Sequence, residues 1–314
     1  MNNLNPTKTA FVFPGQGSQQ VGMGKELAAA YPIAHQVFSE SDEILGFELS
    51  KLCWDGPEEH LNQTNNTQPA LFVHSIAALR IFQEKNPNFE PAFMAGHSLG
   101  ELTALTAAGA MPFEPSLKLV QRRGELMKQA GEISPGGMAA LLGLDIPTVE
   151  NLCAQASTDN ETVQVANDNC PGQVVVSGAN EAVQRLLPLA TEAGAKRAMP
   201  LAVSIAAHSQ LMTHAQSDFN QAVGSTPFTL PAVPVIGNVS ALPLTSIEEI
   251  QADLQAQLTS RVRWTESIAH MTQQGVETFV EIGTGDVLSK LIRRIERGAQ
   301  RIPLGTPENF DAIN

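Results

Sequence analysis

Between a short apolar run, PAFMA (91–95), and a stretch of strong helix formers, ELTALTAAGAM (101–111), stands Gly96-His97-Ser98-Leu99-Gly100. The flanking patterns read as strand, tight turn and helix in that order. A strand that turns so sharply into a helix leaves no room for side chains beside the bend, so both glycines are required. The central residue is forced into a strained conformation that lifts its hydroxyl clear of the backbone. The next amide N–H then points where an oxyanion would form. The pentapeptide alone is a weak signal; its strand-before, helix-after setting makes Ser98 a candidate nucleophile.

The rest of the chain extends this α/β pattern. TAFVF (9–13) reads as a buried strand followed by a Gly-rich loop, PGQGSQ. Residues 24–45 have helical spacing broken by Pro32. PALFVHSIAALRIFQ (69–83) predicts a helix opening at Pro69, and residues 114–131 an amphipathic one. After SPGG (134–137) the rhythm changes. GMAALLGL, TVQVAND, PGQVVVSG and AKRAMPL alternate as strands with helices near 147–157 and 180–194. Such a β-α-β-β-α-β order predicts a small ferredoxin-like insert. From Ser204 onward helix and strand alternate again, with strands at VPVIGNV (233–239) and VETFVEIG (276–283). The expected organisation is an α/β main domain over 1–133 and 205–314, interrupted by an α+β domain over 134–204.

With 43% hydrophobic and 16% charged residues, 314 residues suffice for a large core. The net charge of −13 argues against a nucleic-acid reader. The one basic concentration is KLIRRIERGAQR (290–301), read as a helix carrying Lys290, Arg293, Arg294, Arg297 and Arg301. It is either a solvated face or a docking patch for an acidic partner. Cys53, Cys153 and Cys170 form no CxxC or zinc pattern, so no metal is expected and free thiols in a reducing compartment are. MNNLNPTK lacks the apolar core of a signal peptide and no run approaches eighteen apolar residues, so a cytoplasmic location is expected.

A serine hydroxyl needs a base. Of seven histidines, His74 lies in an apolar helix, and His35, His60 and His270 in polar surroundings. His97 adjoins Ser98 on the turn and points away from it. His208, in a loop after two alanines, is well placed, but spacing does not separate it from His214. Asp145, Asp159 and Asp168 lie between serine and histidine in the chain, none after an evident core strand. A dyad oriented by a backbone carbonyl is therefore an alternative to a triad. Arg122-Arg123-Gly124 is either a solvated pair or holds one arginine turned inward to grip a carboxylate. FPGQGSQ (13–19) lacks the pattern of a phosphate loop and reads as a second wall of the site, offering backbone N–H groups and the Gln16 amide.

Taken in order, FVFPGQGSQ, TQPALF, GHSLGE, the RRG of 122–124, NDNCPGQVVVSG, AKRAMPL, AAHSQLM, VRWTESI and VEIGTGDVL resemble the malonyl-CoA:acyl-carrier-protein transacylase family from about residue 9 to 304. The resemblance is to discrete bacterial enzymes of fatty-acid synthesis, with free-standing polyketide acyltransferases close behind. It implies a hydrolase-like α/β core with a parallel sheet, a ferredoxin-like small domain, and ping-pong transfer of malonyl from malonyl-CoA to the phosphopantetheine thiol of acyl carrier protein. No bound cofactor is implied. Residue by residue it implies Ser98 as nucleophile, His208 as base, and Arg123 as ligand of the malonyl carboxylate. Gln16 and Leu99 would form the oxyanion hole, the Gln257 carbonyl would orient His208, and Asn169 would touch coenzyme A. Two positions depart from the pattern. Ala207 stands where malonyl-selective polyketide relatives carry a bulky aromatic, leaving room for a substituted malonyl unit. Arg261 stands where proline is usual. A serine esterase or thioesterase, and a non-enzymatic carrier-binding protein, are the competing readings.

Overall fold

The structure is a computed structural model that describes residues 4–203 and 205–312; residue 204, where the small domain was expected to end, lies outside it. Its nine strands are β1 (Thr9–Phe13), β2 (Phe93–Gly96), β3 (Gly136–Leu142), β4 (Val163–Cys170), β5 (Gln173–Ala179), β6 (Arg197–Pro200), β7 (Val235–Ile236), β8 (Thr278–Ile282) and β9 (Gln300–Leu304). Five form a parallel sheet in the order β7-β2-β1-β8-β9. Every residue of central β1 is buried, which explains its continuous apolar run: a parallel strand covered on both faces has no polar side to show. Phe13 pairs with Gly96, so the loops leaving β1 and β2 rise side by side at the carboxyl end of the sheet. Open α/β sheets place ligands at that end.

The long helix α1 (Thr64–Lys85), buried along most of its length, packs on the sheet together with the short α2 (Leu99–Ala107), and the second long helix, α3 (Phe113–Ile133), packs on α1. α1 begins at Thr64, not at Pro69; the proline sits in its second turn, where one intrahelical bond is lost. The break at Pro32 is found as expected, between helices Lys25–Ala30 and Pro32–Leu45.

The other four strands make an antiparallel sheet in the order β4-β5-β3-β6, packed on α4 (Ile146–Ala156) and α5 (Asn180–Glu192). This is the ferredoxin-like arrangement. Val174 and Val176 face the two helices, whereas Val175 faces the main body and joins its core. A bulge in β4 between Val165 and Asn167 sets Asn167 opposite Val175, which turns polar side chains toward the gap between the sheets. Two backbone hydrogen bonds, Asp168 N–H to the Val262 carbonyl and Val262 N–H to the Ala166 carbonyl, stitch β4 to the segment after α6 (Ile247–Gln257).

Two expectations fail locally. The strand expected over 233–239 shrinks to Val235–Ile236: Pro234 before it has no N–H to give a ladder, and Gly237 after it turns the chain, its N–H bonded to the Leu242 carbonyl. The helix expected over 290–301 is α7 (Val287–Ile295) only. Gly298 follows in a turn whose N–H bonds to Glu296, and Arg301 belongs to edge strand β9.

Candidate active site

Ser98 has φ 54° and ψ −108°, the strained corner that the glycines were expected to permit. A Cβ on Gly96 would lie 1.8 Å from the Gly100 carbonyl oxygen, and one on Gly100 2.1 Å from that of Phe13. Asn238, which sequence reasoning missed, staples the bend. Its Oδ1 accepts from the Ser98 N–H at 2.7 Å and its Nδ2 donates to the Gly96 carbonyl at 2.7 Å. With the Ser98 N–H so engaged, the Leu99 N–H is the next backbone donor. As the first of α2, it has no acceptor within its own helix.

Serine and base meet: His208 Nε2 lies 2.8 Å from Ser98 Oγ, while Nδ1 lies 2.8 Å from the Gln257 carbonyl oxygen. A carbonyl only accepts, so the proton belongs on Nδ1 and the Nε2 lone pair faces the hydroxyl. The acceptor sits at the C-terminal, partially negative end of α6, which favours the imidazolium that forms during attack. His214 is exposed. Asp145 caps α4, Asp168 accepts from Thr265, and Asp159 is exposed, so the arrangement is a carbonyl-oriented dyad. His208 is 2% exposed; burial, with Arg123 nearby, pushes its pKa down to about 3, so it stands neutral and ready to accept.

Arg123 and Arg122 part company. Arg122 turns outward to Asp218 at 3.0 Å. Arg123 is 1% exposed and donates to Gln68 Oε1 at 2.7 Å, Gln257 Oε1 at 2.6 Å and Ser98 Oγ at 3.1 Å. Its Nε has no partner. Among the described residues Arg80, Arg122, Arg185, Arg261 and Arg263 pair with carboxylates, and Arg123 does not. Burial lowers its pKa to about 10, which leaves it charged at neutral pH. The nearby acid, Glu101, is fully buried; burial and then Asp253 hold its pKa well above the usual carboxylate range, so its neutral form is favoured. Gln68 and Glu101 left no mark in the sequence that would separate them from core polar residues.

The cleft over Ser98 is lined by Gln16, Leu99, Met127, Met138, Val175 and Ala207. Gln16 is steadied by Thr64 at 3.3 Å. Asn169 also lines it, its Oδ1 2.8 Å from His97 Nε2, while the His97 ring meets Trp264 edge-on at 5.7 Å. Arg261 bonds to Glu150 and Glu266 on the surface, away from the cleft. At the outer end of β4, Arg293, Arg294, Arg297 and Arg301 line a separate surface hollow with Pro171. Arg294 is tied to the Pro171 and Gly172 carbonyls and to Gln173, and Lys290 to Asp286 at 2.7 Å. Among the described residues no cluster of His, Cys, Asp or Glu could hold a metal ion, and no helix is long and apolar enough to cross a membrane.

Residues 10–303 match the family model described as "Acyl transferase domain". The malonyl CoA-acyl carrier protein transacylase of Haemophilus influenzae is 44% identical over 306 residues, 98% of each chain. An acyl carrier protein S-malonyltransferase from Vibrio cholerae superposes with a TM-score of 0.93 at 43% identity, over 98% of this chain and 100% of that one. A malonyl-transacylase solved in complex with its type II PKS acyl-carrier protein gives 0.93 at 41% identity, over 97% and 98%.

Proposed function

The chain belongs to the acyl transferase family, among the malonyl-CoA:acyl-carrier-protein transacylases, and from that premise we propose how its own residues carry a malonyl group from coenzyme A to the phosphopantetheine thiol of acyl carrier protein. Ser98 Oγ attacks the thioester carbonyl as His208 Nε2 takes the hydroxyl proton. The oxyanion is met by the Leu99 N–H and by Gln16. The tetrahedral adduct collapses, the C–S bond breaks, and the coenzyme A thiol leaves with the proton from His208. A malonyl ester remains on Ser98. The carrier thiol gives its proton to His208 and attacks the ester carbonyl; the C–Oγ bond breaks, Ser98 Oγ takes the proton back from His208, and malonyl leaves as the carrier thioester. Malonyl-CoA is a substrate, and these steps call on no bound cofactor.

One observation carries the assignment: a buried guanidinium with no carboxylate of its own, hydrogen-bonded to the nucleophile. An uncompensated buried charge costs several kcal/mol, which an acyl group bearing a free carboxylate would offset on binding. A neutral ester offers nothing to such a group. Ala207 gives the cleft a small wall, which would leave room for a substituted malonyl unit as well. Three free cysteines fit a reducing compartment, and we place the enzyme in the cytoplasm.

Mixed with malonyl-CoA, the protein is expected to gain the mass of one malonyl group, seen by intact mass spectrometry, and the Ser98→Ala variant to gain none. Labelling that survives in Ser98→Ala, or hydrolysis of neutral esters without any acyl-enzyme, would refute the assignment.

We assign carrier docking to the basic hollow of Arg293, Arg294, Arg297 and Arg301. Lys290, held by Asp286, contributes less than expected from the sequence, and Arg294 is occupied in holding the turn after β4. Reversing Arg293 and Arg297 to glutamate should raise the KM for carrier severalfold, more at low salt than at high, and leave the KM for malonyl-CoA unchanged. Equal effects on both substrates would remove docking from this face.

A further inference from the structure

His208 and the α6 terminus that orients it come from separate segments, and one side chain from the small sheet joins them. Gln164 Nε2 lies 3.1 Å from the His208 carbonyl oxygen and 3.1 Å from that of Thr259. Both partners only accept, so the amide must present its NH₂, and each of its two hydrogens has an acceptor. Among the described residues Gln164 is the only side chain that donates to the His208 carbonyl.

His208 needs such a tether. Its φ of 59° is the left-handed conformation that a residue with a Cβ adopts only under constraint from its surroundings. The Thr259 carbonyl lies two residues beyond Gln257, in the loop that leaves the end of α6. The strand that carries Gln164 is itself fixed. It pairs Gln164 with Ser177 across the sheet, and further along it Ala166 and Asp168 are both bonded to Val262. The amide thus ties the backbone of His208 to the backbone two residues after Gln257, its hydrogen-bond partner, from a third element.

We propose that Gln164 is a positioning residue for the dyad: by bridging the His208 and Thr259 carbonyls it holds the imidazole at the distance and angle that proton transfer from Ser98 requires. It touches neither substrate nor the reacting atoms. The inference rests on the Ser98–His208 assignment above. Small errors in such placement are costly, because the bound geometry sets how often the reacting groups are aligned. Arg123, which grips the carboxylate, has no contact with Gln164, so binding should be spared.

The test replaces Gln164 by methionine, which keeps the length and flexibility of the side chain and removes both donors, and separately by leucine. Acylation by malonyl-CoA is followed by rapid-quench mass spectrometry, and each rate is divided by the number of serines that can be acylated at long times. Both variants are expected to acylate about tenfold more slowly per active serine, with the KM for malonyl-CoA within twofold of the parent value. A rate per active serine equal to the parent's would overturn the proposal. So would a rise in KM that accounts for the whole loss, or fewer active serines with unchanged rate at those remaining, which would make Gln164 a stability residue only. Failure of the parent enzyme to acylate Ser98 would instead bring down the dyad assignment on which the proposal stands.

Discussion

Replacement of His208 by alanine is expected to slow formation of the malonyl-enzyme by about 10³–10⁴-fold, with little change in the affinity for malonyl-CoA. The size follows from what the imidazole does alone. Among the described residues it is the one base within hydrogen-bond reach of Ser98 Oγ, at 2.8 Å, and the other hydrogen-bond neighbour of that oxygen, Arg123, can only donate. The remaining rate would come from the oxyanion donors and from carboxylate binding, which the substitution leaves in place. Single-turnover acylation resolves the step. A loss below tenfold would mean that another group takes the proton.

The same residue sets a pH signature. Its pKa is held at about 3 by burial first and Arg123 second, against an ordinary value of 6.5. The base therefore stays neutral well below the pH at which a free histidine charges, and kcat/KM of the parent enzyme should hold up through pH 6 and 5. The linkage to stability has a definite sign. The unfolded chain binds the proton near pH 6.5 and the folded one only near 3, so this site withdraws stability as pH falls between those values. His74, buried in α1 and lowered to about 4, acts in the same direction. His208→Ala should accordingly lose less stability than the parent on going from pH 7 to pH 5 in urea titrations.

Much of this site could be read in the sequence, and the reasons differ by residue. Ser98 was visible because a strand-to-helix bend imposes glycines on both sides, a constraint local enough to survive as a pentapeptide. His208, Gln257 and Arg123 were chosen among alternatives only through the family resemblance. Their convergence depends on three separate segments, and nothing in the spacing distinguishes Arg123 from Arg122 or His208 from His214. Once the helix α3 is placed, the choice is physical: one arginine faces solvent and Asp218, and the other faces the cleft. Asn238, Gln68 and Gln164 were illegible because each acts on backbone or side chains distant in the chain. The 290–301 segment was misread because its arginines suit a helix surface, while the stop comes from one glycine turn and the pairing of β9 with β8, a non-local contact.

Arg123→Ala is expected to lower kcat/KM for malonyl-CoA by roughly 2 kcal/mol or more, about thirtyfold at the least, while changing acetyl-CoA turnover much less. The larger figure for malonyl arises because a carboxylate carried into a dry cleft without its partner bears the cost of desolvation unrelieved, about 3–5 kcal/mol when one side of a buried pair is removed. Acetyl has no charge to desolvate, so its reaction reports only on whether the dyad is intact. That control matters, since Arg123 also bonds to Gln257 Oε1, and the Gln257 carbonyl orients His208. Gln257 retains two further anchors through Nε2, to the Ser98 carbonyl and to Glu101, which should keep its main chain in place when the guanidinium is gone. Arg123→Lys separates charge from shape. A single ammonium cannot meet Gln68, Gln257 and a carboxylate at once from the same depth, so it should recover part of the malonyl rate and not all of it. If malonyl and acetyl transfer fell together in the alanine variant, Arg123 would be a support for the dyad and not the ligand of the carboxylate. An unchanged ratio of the two substrates at full activity would remove it from the site altogether.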